Sequence, residues 1–125
     1  MQMTPDKKKN KLYIVVPCYN EEQVLGETSK RLKIKCEDLI QKGQISKDSK
    51  IVFVDDGSKD RTWKMISELH ETDSLFSGVK LSRNRGHQNA LLAGLTMASE
   101  HADMAISMDA DLQDDINAVD QMIEK

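Results

Sequence analysis

The segment Ser107-Met108-Asp109-Ala110-Asp111-Leu112-Gln113-Asp114-Asp115 carries four aspartates directly after the apolar run MAISM. Like charges this close repel, and aspartates beside a buried segment lose hydration unless something compensates. Asp109 and Asp111 are two residues apart, so in an extended loop they face the same side and can share one hard cation. Mg²⁺ or Mn²⁺ held by one or two carboxylates completes its shell with water and phosphate oxygens. Gln113, again two along, can add a further oxygen. Asp114 and Asp115 suit a different role, at the positive end of a following helix. A calcium loop competes, with Asp109, Asp111, Gln113 and Asp120 at its first, third, fifth and twelfth positions. It has Asp114 where its sixth position needs glycine, and Asp where its twelfth needs Glu. The segment before it is also strand-like, not helical.

Three further clusters offer chemistry. In Asp55-Asp56-Gly57-Ser58, two adjacent carboxylates at the end of an apolar run cost more than a tight turn requires. One of them can accept a hydrogen bond from a ring N–H, as a nucleobase offers. In Pro17-Cys18-Tyr19-Asn20-Glu21, Tyr19 can stack on a planar base and Glu21 can meet ribose hydroxyls. The same residues also suit a plain helix start with a capping Asn, and local sequence does not separate the two. With no histidine in its motif, Cys18 reads as a small packing residue before a nucleophile. Arg83 and Arg85, in Ser82-Arg83-Asn84-Arg85-Gly86-His87, stand at a helix start and could take a diphosphate, or could be ordinary surface arginines. His70 and His101 fall on polar helix faces and read as exposed bystanders.

The elements that must hold these clusters alternate. Residues 11–16 (KLYIVV), 50–54 (KIVFV), 79–82 and 104–108 read as strands. A helix follows the first strand, with Asn20 and Gln23 spaced as a capping box and Gly43 at its end. Further helices are predicted over 60–71, over 88–99 with an apolar face of Leu91, Leu92, Leu95 and Met97, and over 116–123. Strand and helix in steady alternation imply an α/β fold with a mostly parallel sheet of four strands and right-handed crossovers. In such sheets ligands bind beyond the C-terminal strand ends, where strand order reverses. All four clusters fall at strand ends of that kind.

The bulk properties are compatible with this. Residues 1–10 are polar, Lys-rich and expected to be a disordered lead-in, leaving 11–125 as one unit. A formal net charge of -3 argues against a nucleic-acid partner. Two isolated cysteines fit a reduced, cytoplasmic chain better than a disulfide framework or a zinc site. No apolar stretch approaches the length of a membrane span, and no signal peptide is visible.

Taken in order, VVPCYNEE, VFVDDGSKDRT, LSRNRGHQNALLAGLTMA and MDADLQDD resemble glycosyltransferase family 2, with its Rossmann-like GT-A fold. The likeness runs over nearly all of Lys11 to Lys125, and the DADLQ form is most similar to the branch using polyprenyl-phosphate (dolichyl or undecaprenyl) acceptors. It implies that Pro17, Tyr19, Glu21, Val54, Asp56, Asp109 and Ala110 line a pocket for a UDP- or GDP-sugar, with Asp56 meeting the base. It implies that Asp109, Asp111 and Gln113 hold Mg²⁺ or Mn²⁺ against the diphosphate. The reaction implied is an inverting, in-line displacement at the anomeric carbon, serving cell-envelope glycan synthesis. Two departures stand out: Arg85 where family members often carry an aromatic residue, and Asp115 and Ile116 where they carry prolines.

Family members continue past the metal motif into an acceptor-binding half, and this branch often ends in membrane helices. The chain is therefore expected to be the nucleotide-binding half, truncated before the acceptor half and able to bind nucleotide without turnover. Any catalytic base on the acceptor side is expected beyond Lys125. The parent is expected at the cytoplasmic face of the membrane. The edge of the last strand would be open to a homodimer. Two alternatives remain at this level, a non-catalytic nucleotide-binding module and a receiver-like signalling domain. A receiver should carry its acidic pair after strand one and its phosphorylatable aspartate after strand three, where this chain has PCYNE and SRNRG.

Overall fold

Apolar side chains occupy both faces of the first two strand segments, so each needs cover above and below, the condition that favours a parallel sheet. The computed structural model describes residues 10–84 and 86–111. The expected lead-in (apart from Asn10), Arg85, Gln113, Asp114, Asp115 and the expected last helix, with the rest of the chain to Lys125, lie outside the described residues. The elements are β1 (Leu12–Cys18), α1 (Leu25–Gln41), β2 (Lys50–Asp55), α2 (Thr62–Thr72), β3 (Phe76–Lys80), α3 (His87–Ser99) and β4 (Met104–Ser107).

The sheet order is β3-β2-β1-β4 and every pairing is parallel. The chain steps outward from β1 through β2 to β3, then crosses back to lay β4 on the far side of β1. Strand order thus reverses between β1 and β4. With right-handed crossovers, reversing direction moves the connecting helix to the opposite face, and the core divides accordingly. Leu12, Ile14, Val16, Ile51 and Phe53 pack with Leu25, Leu32, Leu39 and Ile66 of α1 and α2. Val15, Val52 and Val54 pack with Ala90 and Ala98 of α3. The alternation along β1 and β2 is the strand's two-residue period.

Helix α3 differs from its expected face. It buries Ala90, Gly94 and Ala98, while Leu92 is 62% exposed and Leu91, Leu95 and Met97 flank the contact. At Gly94 a Cβ would lie 2.4 Å from Val15 Cγ1 and 2.7 Å from Val54 Cγ2, so only glycine allows the helix this close to the sheet. Strand β3 runs earlier than expected, because Phe76 packs on Phe53 with ring centroids 6.0 Å apart and pairs with Ile51.

The expected capping box does not form. Helix α1 starts at Leu25 with Val24 as its N-cap and no side-chain cap; the carbonyl of Glu21 instead accepts from the Val24 and Leu25 N–H groups. His70 is exposed but lies with Nδ1 2.8 Å from the Phe76 carbonyl, and His101 stacks on Tyr13. Among the described residues, no helix is long and apolar enough to cross a membrane.

Candidate functional site

At the C-terminal ends of β1 and β4, where strand order reverses, lies a cleft of about 320 Å³. Pro17, Cys18, Tyr19 and Glu21 form the wall that follows β1, and Asp109, Ala110 and Asp111 form the one that follows β4. Asp56 comes from the β2–α2 turn, and Asn84, Gly86, His87 and Ala90 from the β3–α3 connection.

Asp56 is 3% exposed. Its N–H donates to the Cys18 carbonyl at 2.8 Å, which ties the turn to the end of β1. Its Oδ2 accepts the Gly86 N–H at 3.1 Å. Neighbouring Asp55 is fully buried, with Oδ1 accepting the Ser58 N–H at 3.2 Å. Asp55 Oδ2 is buried without a hydrogen-bond partner among the described residues, and nothing in the structure accounts for it. Gly57, at φ 76°, carries the turn; a Cβ there would fall 2.4 Å from Asn84 N and 2.6 Å from Arg83 C. The Arg83–Asn84 backbone therefore crosses directly over the turn, which brings Asn84 to the cleft.

Beyond β4, side chains continue to alternate. Met108 and Ala110 are buried, while Asp109 and Asp111 line the cleft. The Met108 N–H donates to the Val15 carbonyl at 3.0 Å, extending the β1 pairing. The Thr28 hydroxyl of α1 donates to the Ala110 carbonyl between the two aspartates. Asp109 and Asp111 thus stand two apart on one side of the chain.

Charge in the cleft is one-sided. Glu21, Asp56, Asp109 and Asp111 all line it, with His87 the sole titratable nitrogen side chain among the described lining residues. Burial, then the charge of Asp111, holds the Glu21 carboxyl above its ordinary range; Asp60 and Asp109 add to this, and a hydrogen bond with the Tyr19 backbone opposes it. Burial also pushes the Cys18 thiol well above the usual thiol range, with Glu21 and Asp55 contributing, so Cys18 is no nucleophile in this state.

Of the residues singled out from sequence, the cleft gathers Pro17, Tyr19, Glu21, Asp56, Asp109, Ala110 and Asp111. Val54 is not among its lining residues: it is fully buried in the core beneath α3, because the strand period turns it to that face. Arg83 is exposed and also outside the cleft lining. The acceptor-side base expected beyond Lys125 falls past the described residues, so no catalytic base is assigned to this cleft. Sequence reasoning missed Asn84 and Ala90, which reach the cleft only through the fold of the β3–α3 connection. Among the described residues no group of three His, Cys, Asp or Glu side chains could by itself hold a metal ion. Asp109 and Asp111 suit the smaller protein share that Mg²⁺-like ions take, one or two carboxylates with water and phosphate oxygens completing the shell.

A parallel sheet reversing at an acidic cleft, with an aromatic side chain on one wall and an Asp-Ala-Asp turn on the other, defines an α/β domain of the GT-A type. A solved structure with the same fold is the mannosyltransferase PcManGT from Pyrobaculum calidifontis in complex with GDP-Man and Mn²⁺. It aligns with a TM-score of 0.62 at 23% identity, covering 84% of this chain and 28% of that one. The family model for glycosyl transferase family 2 matches residues 13–125, and the chain belongs to that family.

Among its relatives is an uncharacterized glycosyltransferase, YkoT, of Bacillus subtilis (strain 168), 55% identical over 86% of this chain and 32% of that protein. Another is the undecaprenyl-phosphate 4-deoxy-4-formamido-L-arabinose transferase of Enterobacter sp. (strain 638), 35% identical over 98% of this chain and 36% of that protein. The chain therefore spans about a third of the length of these curated relatives. Family membership leaves no role for the receiver-like alternative.

Proposed function

We propose that the cleft binds the nucleoside diphosphate of a UDP- or GDP-sugar, and that the whole protein transfers the sugar, with inversion, to a polyprenyl phosphate. The observation that carries this is the meeting of Tyr19 and Asp56 with Asp109 and Asp111 in one cleft at the strand-order reversal. The named activity of the Enterobacter relative supports the acceptor class, and the GDP-Man and Mn²⁺ of the Pyrobaculum structure support the donor and the ion.

In this reading Tyr19 stacks on the base, Asp56 accepts from a base N–H, and Glu21 accepts from ribose hydroxyls. Pro17 and Ala110 supply apolar walls. Asp109 and Asp111, with Gln113, hold Mg²⁺ or Mn²⁺, and the two arginines of the SRNRG segment, Arg83 and Arg85, are the candidates for contact with the diphosphate. The ion supplies charge stabilisation for the departing nucleoside diphosphate. The net negative cleft gives a physical reason for the cation, since a diphosphate beside these carboxylates would otherwise be repelled. A phosphate acceptor is already ionised near neutral pH and needs less help from a general base than an alcohol does.

Calorimetric titration with UDP and GDP, with and without Mn²⁺, tests the reading. At least one nucleotide should bind, more tightly with Mn²⁺, and Asp109→Ala with Asp111→Ala should abolish the Mn²⁺ dependence. Failure of both nucleotides to bind, or metal-dependent binding that survives the double substitution, would overturn it.

A further inference from the structure

Tyr19 and Glu21 both line the cleft, and the residue between them is the one non-glycine with a positive φ among the described residues: Asn20, at 54°. An L-residue with a side chain is strained in this region, although Asn tolerates it better than most. Strain of this kind persists only where the surroundings over-determine it. Here the surroundings are the β2–α2 loop.

Three consecutive backbone N–H groups donate to side chains of that loop and of the first residue of α2. Asn20 N donates to Ser58 Oγ at 2.8 Å, Glu21 N to Thr62 Oγ1 at 2.8 Å and Glu22 N to Asp60 Oδ2 at 3.2 Å. Two side chains answer in the other direction. Asn20 Oδ1 accepts the Lys59 N–H at 2.8 Å, and Glu22 Oε1 accepts the Arg61 N–H at 2.9 Å. The Thr62 hydroxyl accepts from Glu21 and donates its own proton to Asp60 Oδ1, at 2.5 Å. None of these groups except Glu21 lines the cleft, and Asn20 is itself exposed.

We propose that Asn20 is a positioning residue for the nucleotide cleft. Its left-handed turn, clamped by Ser58 and Lys59, aims Tyr19 and Glu21 at the ligand. Without the clamp the backbone at Asn20 relaxes to negative φ, which rotates the chain between its two neighbours and takes one or both out of the cleft. The proposal explains why Ser58, Asp60 and Thr62, none of which lines the cleft, are turned toward this short stretch of backbone. It rests on the nucleotide reading for its functional consequence, though not for its geometry.

Two measurements separate the geometry from that reading. In the ligand-free protein, ¹⁵N-resolved spectra of Asn20→Ala should show displaced Tyr19, Glu21 and Lys59 amide signals. Asn20→Asp, which keeps the acceptor, should restore them. Tyr19 and Glu21 signals that stay in place in Asn20→Ala would sink the clamp whether or not nucleotide binds. In titrations with UDP and GDP, Asn20→Ala should weaken binding about tenfold, or about 1.4 kcal/mol, with Asn20→Asp close to the parent. In a background carrying both Tyr19→Ala and Glu21→Gln the same Asn20→Ala substitution should cost little, because its effect passes through those two side chains.

Equal losses in both backgrounds, or an unchanged affinity in Asn20→Ala, would overturn the positioning role. If the parent binds neither nucleotide, the functional reading fails while the spectra still decide the clamp. Ser58→Ala, which removes the other half of the clamp and leaves Asn20 intact, repeats both measurements should Asn20→Ala fold poorly, with the same outcomes deciding.

Discussion

The Glu21 carboxyl sits partly withdrawn from water in the field of Asp111, with Asp60 and Asp109 adding to it, and its pKa is raised from an ordinary value of 4.5. A carboxyl raised in the folded state keeps its proton at a pH where the unfolded chain has released it. The stability tied to that proton is fully present below 4.5 and is lost as pH rises through the higher folded value. At neutral pH Glu21 is therefore a destabilising charge, of the kind that clusters at functional sites. Glu21→Gln is expected to raise the thermal midpoint at pH 7, and the gain should close as the buffer is taken to about pH 4, where both side chains are neutral. Thermal melts of the two proteins at both pH values check this. A gap that does not depend on pH would mean that charge is not its source.

At the scale of elements, the best test lies in the contact between α3 and the sheet. Gly94 sits between Val15 and Val54, whose branched side chains have little rotamer freedom to move aside. Gly94→Ala gains helix propensity of up to about 1 kcal/mol. It should nevertheless lose about 1–3 kcal/mol from overpacking, because α3 must lift from β1 and β2. Urea unfolding that shows Gly94→Ala as stable as the parent would contradict the close approach. The same helix shows what sequence could and could not supply. Its existence followed from the pattern, and so did the alternation of β1 and β2 and the placing of each cluster at a strand end, since all are periodic and local. Its buried face did not, because Leu91, Leu92 and Leu95 outweigh Ala90 and Gly94 by hydrophobicity while only the small residues fit against the valines. Asn20 misled for a related reason: a helix cap is a local reading, and its side chain instead accepts from the Lys59 N–H of the β2–α2 loop. Val54 belongs to a cleft motif in sequence, yet the strand period turns it into the core. Asn84 reaches the cleft through a backbone crossing over Gly57 that no local spacing encodes.

For the molecule as a whole, the two thiols report on how the core opens. Cys18 on β1 and Cys36 on α1 belong to the same buried cluster, between the sheet and the α1–α2 layer. Burial, with a contribution from Glu37, pushes the Cys36 thiol up to about 12; burial raises Cys18 as well. Only the thiolate attacks a disulfide reagent, so both groups are protected twice, by access and by ionisation. At pH 7.5 each should react with 5,5′-dithiobis(2-nitrobenzoate) only when the core opens. The two labelling rates should then coincide and rise with urea in step with global unfolding. Cys18 supplies the discriminating result, because it also lines the cleft. If it reacts quickly in the native protein while Cys36 stays protected, the β1 end opens from the cleft side without the core. The raised thiols also set an alkaline limit. Their contribution to stability is intact below the ordinary thiol value of 9.0 and declines as pH climbs from there toward the folded values. Thermal midpoints should therefore fall above about pH 9, and Cys36→Ala, which removes one of the two ionisations, should flatten that fall while lowering the midpoint at neutral pH through the cavity it leaves.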